Sequence, residues 1–326
     1  MCIRDRFVDP EATQSLKYLD MRFDNQCNLG CRMCDPSSSN RVQDTVNWYH
    51  DQGKELPDHW KIFKRQRSNS YIKQLAEKRK WYAMENLWQL RVLKVTGGEP
   101  FMSKDFNEVL DKAIMDEEAH HIRLMITTNG TKFTNTILNK LEYFEGLDLN
   151  VSVDGTGEVY DYIRWPFNWD MWCQRFETLL AWVDDKKFYK RDFRLRTSTL
   201  ISAYNWLDAP RLYEHLHDYT NKYPWLNDIN YVPRIDFNLF LRPEDSELSP
   251  RWLPDHLLEL GLERWEKTNN RQVDEFRAFV EEHKGKQREE RQERFVYMTT
   301  TLDEQREESY WLSLIHISEP TRPLYI

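Results

Sequence analysis

Cysteine is scarce in this chain, with five among 326 residues. So few, in no evenly spaced pattern, exclude the disulfide framework of a small secreted domain and point to a reducing compartment. Long apolar runs are missing as well. No stretch reaches the eighteen or so apolar residues that a membrane-spanning helix needs, so a helical span is excluded. No secretory signal precedes the first strand-like segment, and no fixed-period repeat of solenoid type occurs. The expected setting is cytoplasmic, with cysteines that serve a metal rather than cross-links.

The two ends differ from the rest. MCIRDR (1–6) and LSLIHISEPTR (312–322) resemble translations of one short DNA element read in opposite directions, similar to the mosaic end of a transposase-based sequencing adapter. Residues 1–6 and 312–326 are therefore expected to be adapter artefact, Cys2 included, with the gene continuing beyond Trp311. The formal net charge is −8, and hydrophobic residues make up 40% of the chain, aromatics 14% and charged residues 31%. That composition builds a core and leaves much exposed helix. The length suits one large α/β domain with a smaller appendage.

From Tyr18 onward short apolar segments alternate with longer amphipathic ones. YLDMRF (18–23), RVLKVT (91–96), IRLMITT (122–128), LDLNVSV (147–153), FRLRTSTLI (193–201) and RIDFNLFL (234–241) read as strands. Helical patterns lie between them at 105–119, 134–145, 169–185 and 206–219. This alternation implies a parallel sheet with right-handed crossovers. Six units are too few for a complete eight-stranded barrel, so the expected fold is α/β, a partial (β/α)6 TIM-like barrel. Residues 7–241 form its core, with a helical insertion at 40–90 after the first strand. A helical C-terminal extension is expected over 242–311, cut short by the adapter sequence.

The unusual residues gather at strand ends, where parallel α/β folds bind ligands. CNLGCRMC (27–34) follows strand one, GGEP (97–100) strand two, NGT (129–131) strand three and DGTGE (154–158) strand four. Cys27, Cys31 and Cys34 admit three explanations. A structural zinc site wants a fourth ligand, which only distant Cys173 or scattered histidines offer. A redox dithiol leaves Cys27 unexplained. An iron–sulfur cluster on three thiolates fits best, with one iron open to bind something else.

C-x₃-C-x₂-C after the first strand with GGEP after the second resembles the radical S-adenosylmethionine (radical SAM) superfamily, over roughly Tyr18 to Phe240. FDNQCNLGCRMCDPSSSN, TGGEPF, TTNGT, SVDG and YDYIRWPFNWD are together similar to its peptide-modifying branch with SPASM or twitch C-terminal domains, and in particular to twitch-containing members. Met33 departs from the aromatic residue that many members carry before the third cysteine. The resemblance implies that Cys27, Cys31 and Cys34 hold a [4Fe–4S] cluster whose open iron takes the amino and carboxylate groups of S-adenosylmethionine. Reductive cleavage of that cofactor then gives a 5′-deoxyadenosyl radical, which abstracts a substrate hydrogen. It also implies a peptide or other macromolecular substrate and a flavodoxin- or ferredoxin-like electron donor.

Individual positions follow from the same resemblance. Gly97 and Gly98 let backbone approach a ligand, so that their carbonyls accept the cofactor's ammonium, and Glu99 adds a charge-assisted bond. Ser152 and Asp154 flank Val153 at the end of strand four and face one side, as candidates for the ribose hydroxyls or the carboxylate. A simple Asp-Gly turn is the alternative reading of Asp154. Arg164 matches the arginine that grips the cofactor carboxylate, a bidentate task that suits guanidinium; a surface salt bridge is its alternative. Asn129 either joins the cofactor site or turns the chain in the left-handed conformation before Gly130.

Cys173 lies on an apolar helical face and reads as a small buried thiol. His215 and His217 are two apart and lack ligand spacing. KIFKRQR (61–67) and EKRKWY (77–82) make the insertion locally basic, which suits a solvated helix face or, as a rival, nucleic acid. Two other functions therefore stand beside peptide modification: a radical SAM enzyme acting on RNA, and a non-catalytic iron–sulfur or zinc protein. No cysteine follows Phe240, so one cluster per chain is expected, with the segment from Arg251 to Trp311 covering the barrel mouth or contacting substrate without metal.

Overall fold

A computed structural model describes residues 15–61, 69–227, 234–239, 246–286 and 289–309. Both adapter-like ends, and most of the basic KIFKRQR segment, lie outside the described residues. Six strands appear where alternation predicts them: β1 Tyr18–Met21, β2 Val92–Val95, β3 Arg123–Thr128, β4 Gly146–Ser152, β5 Asp192–Ile201 and β6 Arg234–Leu239. They pair in sequence order, every pair parallel, as one six-stranded sheet with β1 and β6 at its edges.

Sequential order has a consequence. When each right-handed crossover returns to the neighbouring strand, all connecting helices fall on the same face, and a twisted sheet then curls towards a barrel. Burial along the strands agrees. Leu93, Val95, Leu124, Ile126, Leu147, Leu149 and Val151 are buried in one core with residues of the outer helices α3 Lys104–Met115, α4 Asn135–Leu141, α6 Trp169–Asp185 and α7 Ala209–Lys222. The alternate positions Lys94, Met125, Asp148, Asn150 and Ser152 are only half-buried. These form a polar inner face, tied by Lys94–Asp20 at 2.7 Å and Arg123–Asp148 at 2.6 Å. Each fully buried aliphatic side chain on the outer face contributes about 1.5–3 kcal/mol.

Several helices begin at side-chain caps. Ser103 caps α3 and Asn168 caps α6, each accepting a bond from a backbone N–H three residues on. The span of α6 matches the apolar periodicity at both ends. The helix expected over 134–145 stops at Leu141, because bonds from Tyr143 N to Lys140 O and Phe144 N to Leu141 O tighten its end and turn the chain into β4. The helix expected from 206 starts at Ala209, with Pro210 in the first turn, where a missing N–H costs nothing.

The insertion holds α1 Asn40–Asp51 and α2 Asn69–Glu85, and the C-terminal part holds α8 Asp255–Glu266, α9 Val273–His283 and α10 Glu289–Arg306. A short helix, α5 Gly157–Ile163, follows β4. Val42, Val46 and Tyr49 of α1, Trp60, Val159, Tyr162 and Ile163 of α5, and Met298 and Leu302 of α10 share a second core. Cys34 and Met33 pack against it, so Met33 fills apolar space. Among the described residues no helix is long and apolar enough to cross a membrane.

Candidate functional site

The loop after β1 is fastened from three sides. From α1, Asn40 Oδ1 accepts from Cys27 N at 2.8 Å, and Ser39, whose side chain caps the helix, donates to Leu29 O at 2.7 Å. From the end of α5, Trp165 O accepts from Gly30 N at 2.8 Å and Ile163 O from Arg32 N at 3.0 Å. From α10, Arg306 Nη2 donates to Gly30 O at 2.5 Å. The fully buried Arg32 donates to Asp303 at 2.6 Å, Glu308 at 2.8 Å and Tyr162 O at 3.0 Å. Trp60 Nε1 adds a bond to Cys34 O at 2.8 Å.

GGEP closes the fourth side. Glu99 N donates to Gln26 O at 2.7 Å and Gly98 N to Asp24 O at 3.4 Å. A Cβ on Gly98 would sit 2.1 Å from Gln26 O, and Gly97 has φ +124°. Glycine is thus required at Gly98 by the neighbouring backbone of the cysteine loop. Glu99 is buried and faces inward. It accepts from Thr128 Oγ1 at 2.7 Å, Asn129 N at 2.7 Å and Phe101 N at 3.2 Å. Burial pushes its carboxyl up to about 7 against those hydrogen bonds. Its structural work is to lock the ends of β2 and β3 together.

Asn129 reaches the cysteines themselves. Its Nδ2 lies 3.7 Å from Cys27 Sγ and 3.1 Å from Asn28 Oδ1. The left-handed turn falls on Gly130, with φ +77°, and not on Asn129. Leu29 N also donates to Cys27 Sγ, at 3.4 Å.

Arg164 and Asp154 come together as a buried pair. Arg164 Nε and Nη2 lie 2.8 Å and 2.5 Å from Asp154 Oδ2, while Asp154 Oδ1 accepts from Leu200 N at 2.7 Å. Neither is a surface group. Burial works against the Arg164 charge, yet Asp154 holds its pKa above the ordinary guanidinium range. Ser152 stands apart from that pair, half-buried at the end of the inner face and in register with Ser198.

The thiols share one electrostatic environment. Burial, then neighbouring Cys31, pushes Cys27 up to about 12. Cys34 is raised by burial, then by Cys31, Asp35 and Cys27. Cys31 is raised by burial, with Arg164 pulling the other way. Bare thiolates are thus disfavoured here, and a bound metal, which deprotonates coordinating thiols outright, answers that cost. Among the described residues no three His, Cys, Asp or Glu side chains converge as they would on a single ion. Three loop thiols with two N–H groups near one sulfur would suit a polynuclear iron–sulfur centre, whose ligands attach to separate irons.

Several contributors escape sequence reading. Ser39 and Asn40 carry a recognisable signal, since SSSN is a helix start. Arg32, Asp303, Glu308 and Arg306 carry none, being separated by more than 250 positions. Cys173 lies on the outer helices, where its Sγ is 3.7 Å from His215 Nε2 and it packs on the main core. His217 bonds within its own helix, to Thr220. In the basic stretch of α2, Lys80 is paired with Asp105 at 2.8 Å and Glu108 at 2.7 Å.

A parallel partial barrel carrying a three-thiol loop after its first strand defines an α/β class with a thiol-lined strand-end site. Comparison places it further: residues 21–181, just under half of the chain, match the Radical SAM superfamily model, that of an enzyme class that uses a [4Fe–4S] cluster and S-adenosylmethionine. The mycofactocin maturase MftC of Mycobacterium tuberculosis is 34% identical over 94 residues, covering 28% of this chain and 23% of the relative. MftC of Mycolicibacterium smegmatis is 34% identical over 92 residues, 28% of this chain and 22% of the relative. The chain thus aligns with less than a quarter of the length of these curated relatives. Among solved structures, Streptococcus suis SuiB bound to S-adenosylmethionine matches with 14% identity and a TM-score of 0.35, over 68% of this chain and 50% of that one. SuiB bound to its precursor peptide SuiA matches with 14% identity and a TM-score of 0.31, over 69% and 48%.

Proposed function

We propose that this chain is a radical SAM enzyme that modifies a peptide, of the branch with SPASM or twitch C-terminal domains, working in the cytoplasm with a flavodoxin- or ferredoxin-like electron donor. The observation that carries this is the convergence of the three-thiol loop, Gly97–Glu99 and Asn129 at the carboxyl ends of β1, β2 and β3, above a half-open polar inner face. The maturases among its relatives support the peptide class.

In this proposal Cys27, Cys31 and Cys34 hold the cluster, and Leu29 N–H and Asn129 Nδ2–H donate to the Cys27 sulfur. When bound, the cluster and S-adenosylmethionine supply one-electron reductive cleavage of a carbon–sulfur bond. Gly97 and Gly98 offer carbonyls to the cofactor's ammonium, on a backbone that Glu99 braces through Thr128 and Asn129. Arg164 meets the cofactor carboxylate with its guanidinium already oriented by Asp154, and Ser152 takes a ribose hydroxyl on the inner face. The second core, behind Cys34, keeps water from that side of the loop.

Anaerobically reconstituted protein given dithionite and S-adenosylmethionine is expected to release 5′-deoxyadenosine. Zinc in place of iron after anaerobic purification, or a full cluster with no release, would overturn the assignment.

A further inference from the structure

We infer that Arg306, at the last turn of α10, supplies the counter-charge of the loaded cysteine loop and so sets how readily its metal centre accepts an electron. The inference rests on the iron–sulfur assignment above and concerns a residue that lies outside the matched radical SAM domain, which ends at residue 181.

Arg306 is 7% exposed, and its Nη2 bonds Gly30 O between the first two cysteines. Its other two nitrogens, Nε and Nη1, are buried without a hydrogen-bond partner among the described residues. A buried guanidinium left in that state is costly. The neighbouring cation is provided for: Arg32 has carboxylates at 2.6 Å and 2.8 Å, from Asp303 and Glu308. No such carboxylate stands at salt-bridge distance from Arg306 among the described residues; its remaining close contact is the Trp165 ring, 5.1 Å from Cζ. Arg32, Arg306, Asp303 and Glu308 together sum to zero charge, but both carboxylates bond Arg32, which leaves the Arg306 guanidinium as the cation set against the loop that carries Cys27 and Cys31. Burial, then Arg32, pulls the guanidinium down to about 10, which still leaves it charged at neutral pH.

An anion completes this arrangement. Three thiolates on a [4Fe–4S] core give a net negative centre, and each added electron makes it more so. A fixed buried cation favours the reduced form over the oxidised one, which raises the reduction potential. The cofactor carboxylate is the other anion expected at this rim, but Arg306 bonds the cysteine loop itself and acts on Cys31, which favours the cluster.

The test is a redox titration of the full chain, reconstituted anaerobically and followed by the EPR signal of the reduced cluster. Arg306→Gln is expected to keep wild-type iron content and to show about tenfold less reduced cluster at a fixed ambient potential, a downshift of ~59 mV for a one-electron couple. Arg306→Lys, which keeps the charge, stays close to wild type. Glu308→Gln removes a negative charge beside the same guanidinium and moves the potential upward, which decides the matter if Arg306→Gln fails to load. A wild-type potential in Arg306→Gln, equal shifts in the Lys and Gln variants, or no upward shift in Glu308→Gln would overturn the inference. So would an Arg306→Gln protein that weakens S-adenosylmethionine binding with its potential unmoved, which would make the guanidinium a cofactor ligand. Zinc without iron in the wild type would instead defeat the iron–sulfur assignment on which the inference stands.

Discussion

The main core and the rim core are assembled over different distances along the chain. In the main core Leu93, Leu124, Leu147 and Phe193 sit on successive strands, each packed against helices a few tens of residues away. In the rim core Val42 of the insertion meets Leu302 of α10 across most of the chain. The first core makes the barrel; the second holds the cysteine loop against it. The barrel can therefore form from local units, while the site's exact shape depends on the last helix arriving.

The largest test of that difference is a matched pair of truncations. Leu149→Ala, in the middle of the sheet, is expected to cost about 2–5 kcal/mol of global stability, read as a lower denaturant midpoint for the whole chain. Leu302→Ala removes the same volume from the rim core. Its effect should concentrate there, with hydrogen exchange quickened in α10 and around Cys27–Cys34 while β3 and β4 stay protected. Equal loss of protection throughout would erase the distinction between the two cores.

Gly98→Ala sharpens it from the other side. The added Cβ meets Gln26 O, a backbone atom that can move only by displacing the cysteine loop. The expected cost is about 1–3 kcal/mol, with iron uptake reduced much more than far-UV circular dichroism or thermal midpoint. Full iron loading in this variant would mean the loop is not held by that contact.

The smallest effect is expected at the rim's surface. Lys54 of the insertion pairs with Glu304 of α10 at 2.5 Å, but the Glu304 side chain is 61% exposed. Glu304→Gln should change stability by less than ~1 kcal/mol, and less still at high salt. A larger loss in thermal or denaturant unfolding would show that surface charge helps carry the link that the buried residues are argued to carry.

The strands and α6 were legible because their signals are local: period-two alternation, and a capping Asn168 before an apolar face. α5 was not, because its seven residues, Gly157–Ile163, are too few for a helical period to stand out beside the DGTGE turn signal. At the site, the three cysteines, GGEP and NGT were legible as residue types at strand ends. Their partners were less so. Arg164 and Asp154 were each visible as candidates, but their buried pairing was not. The internal engagement of Glu99 was hidden as well, since a carboxylate after two glycines gives no sign of which way it turns.

By itself the amino-acid sequence determined the parallel six-strand order of elements, the rim at which chemistry gathers, and the thiol donor set, because each follows from spacing and side-chain type within a short window. Tertiary structure alone decided what presses on that rim. Gly98 answers to the Gln26 backbone, Arg164 to Asp154, and Gly30 to an arginine 276 positions away. Such contacts form only when distant segments are brought together, and charge buried there is felt at full strength because water no longer screens it.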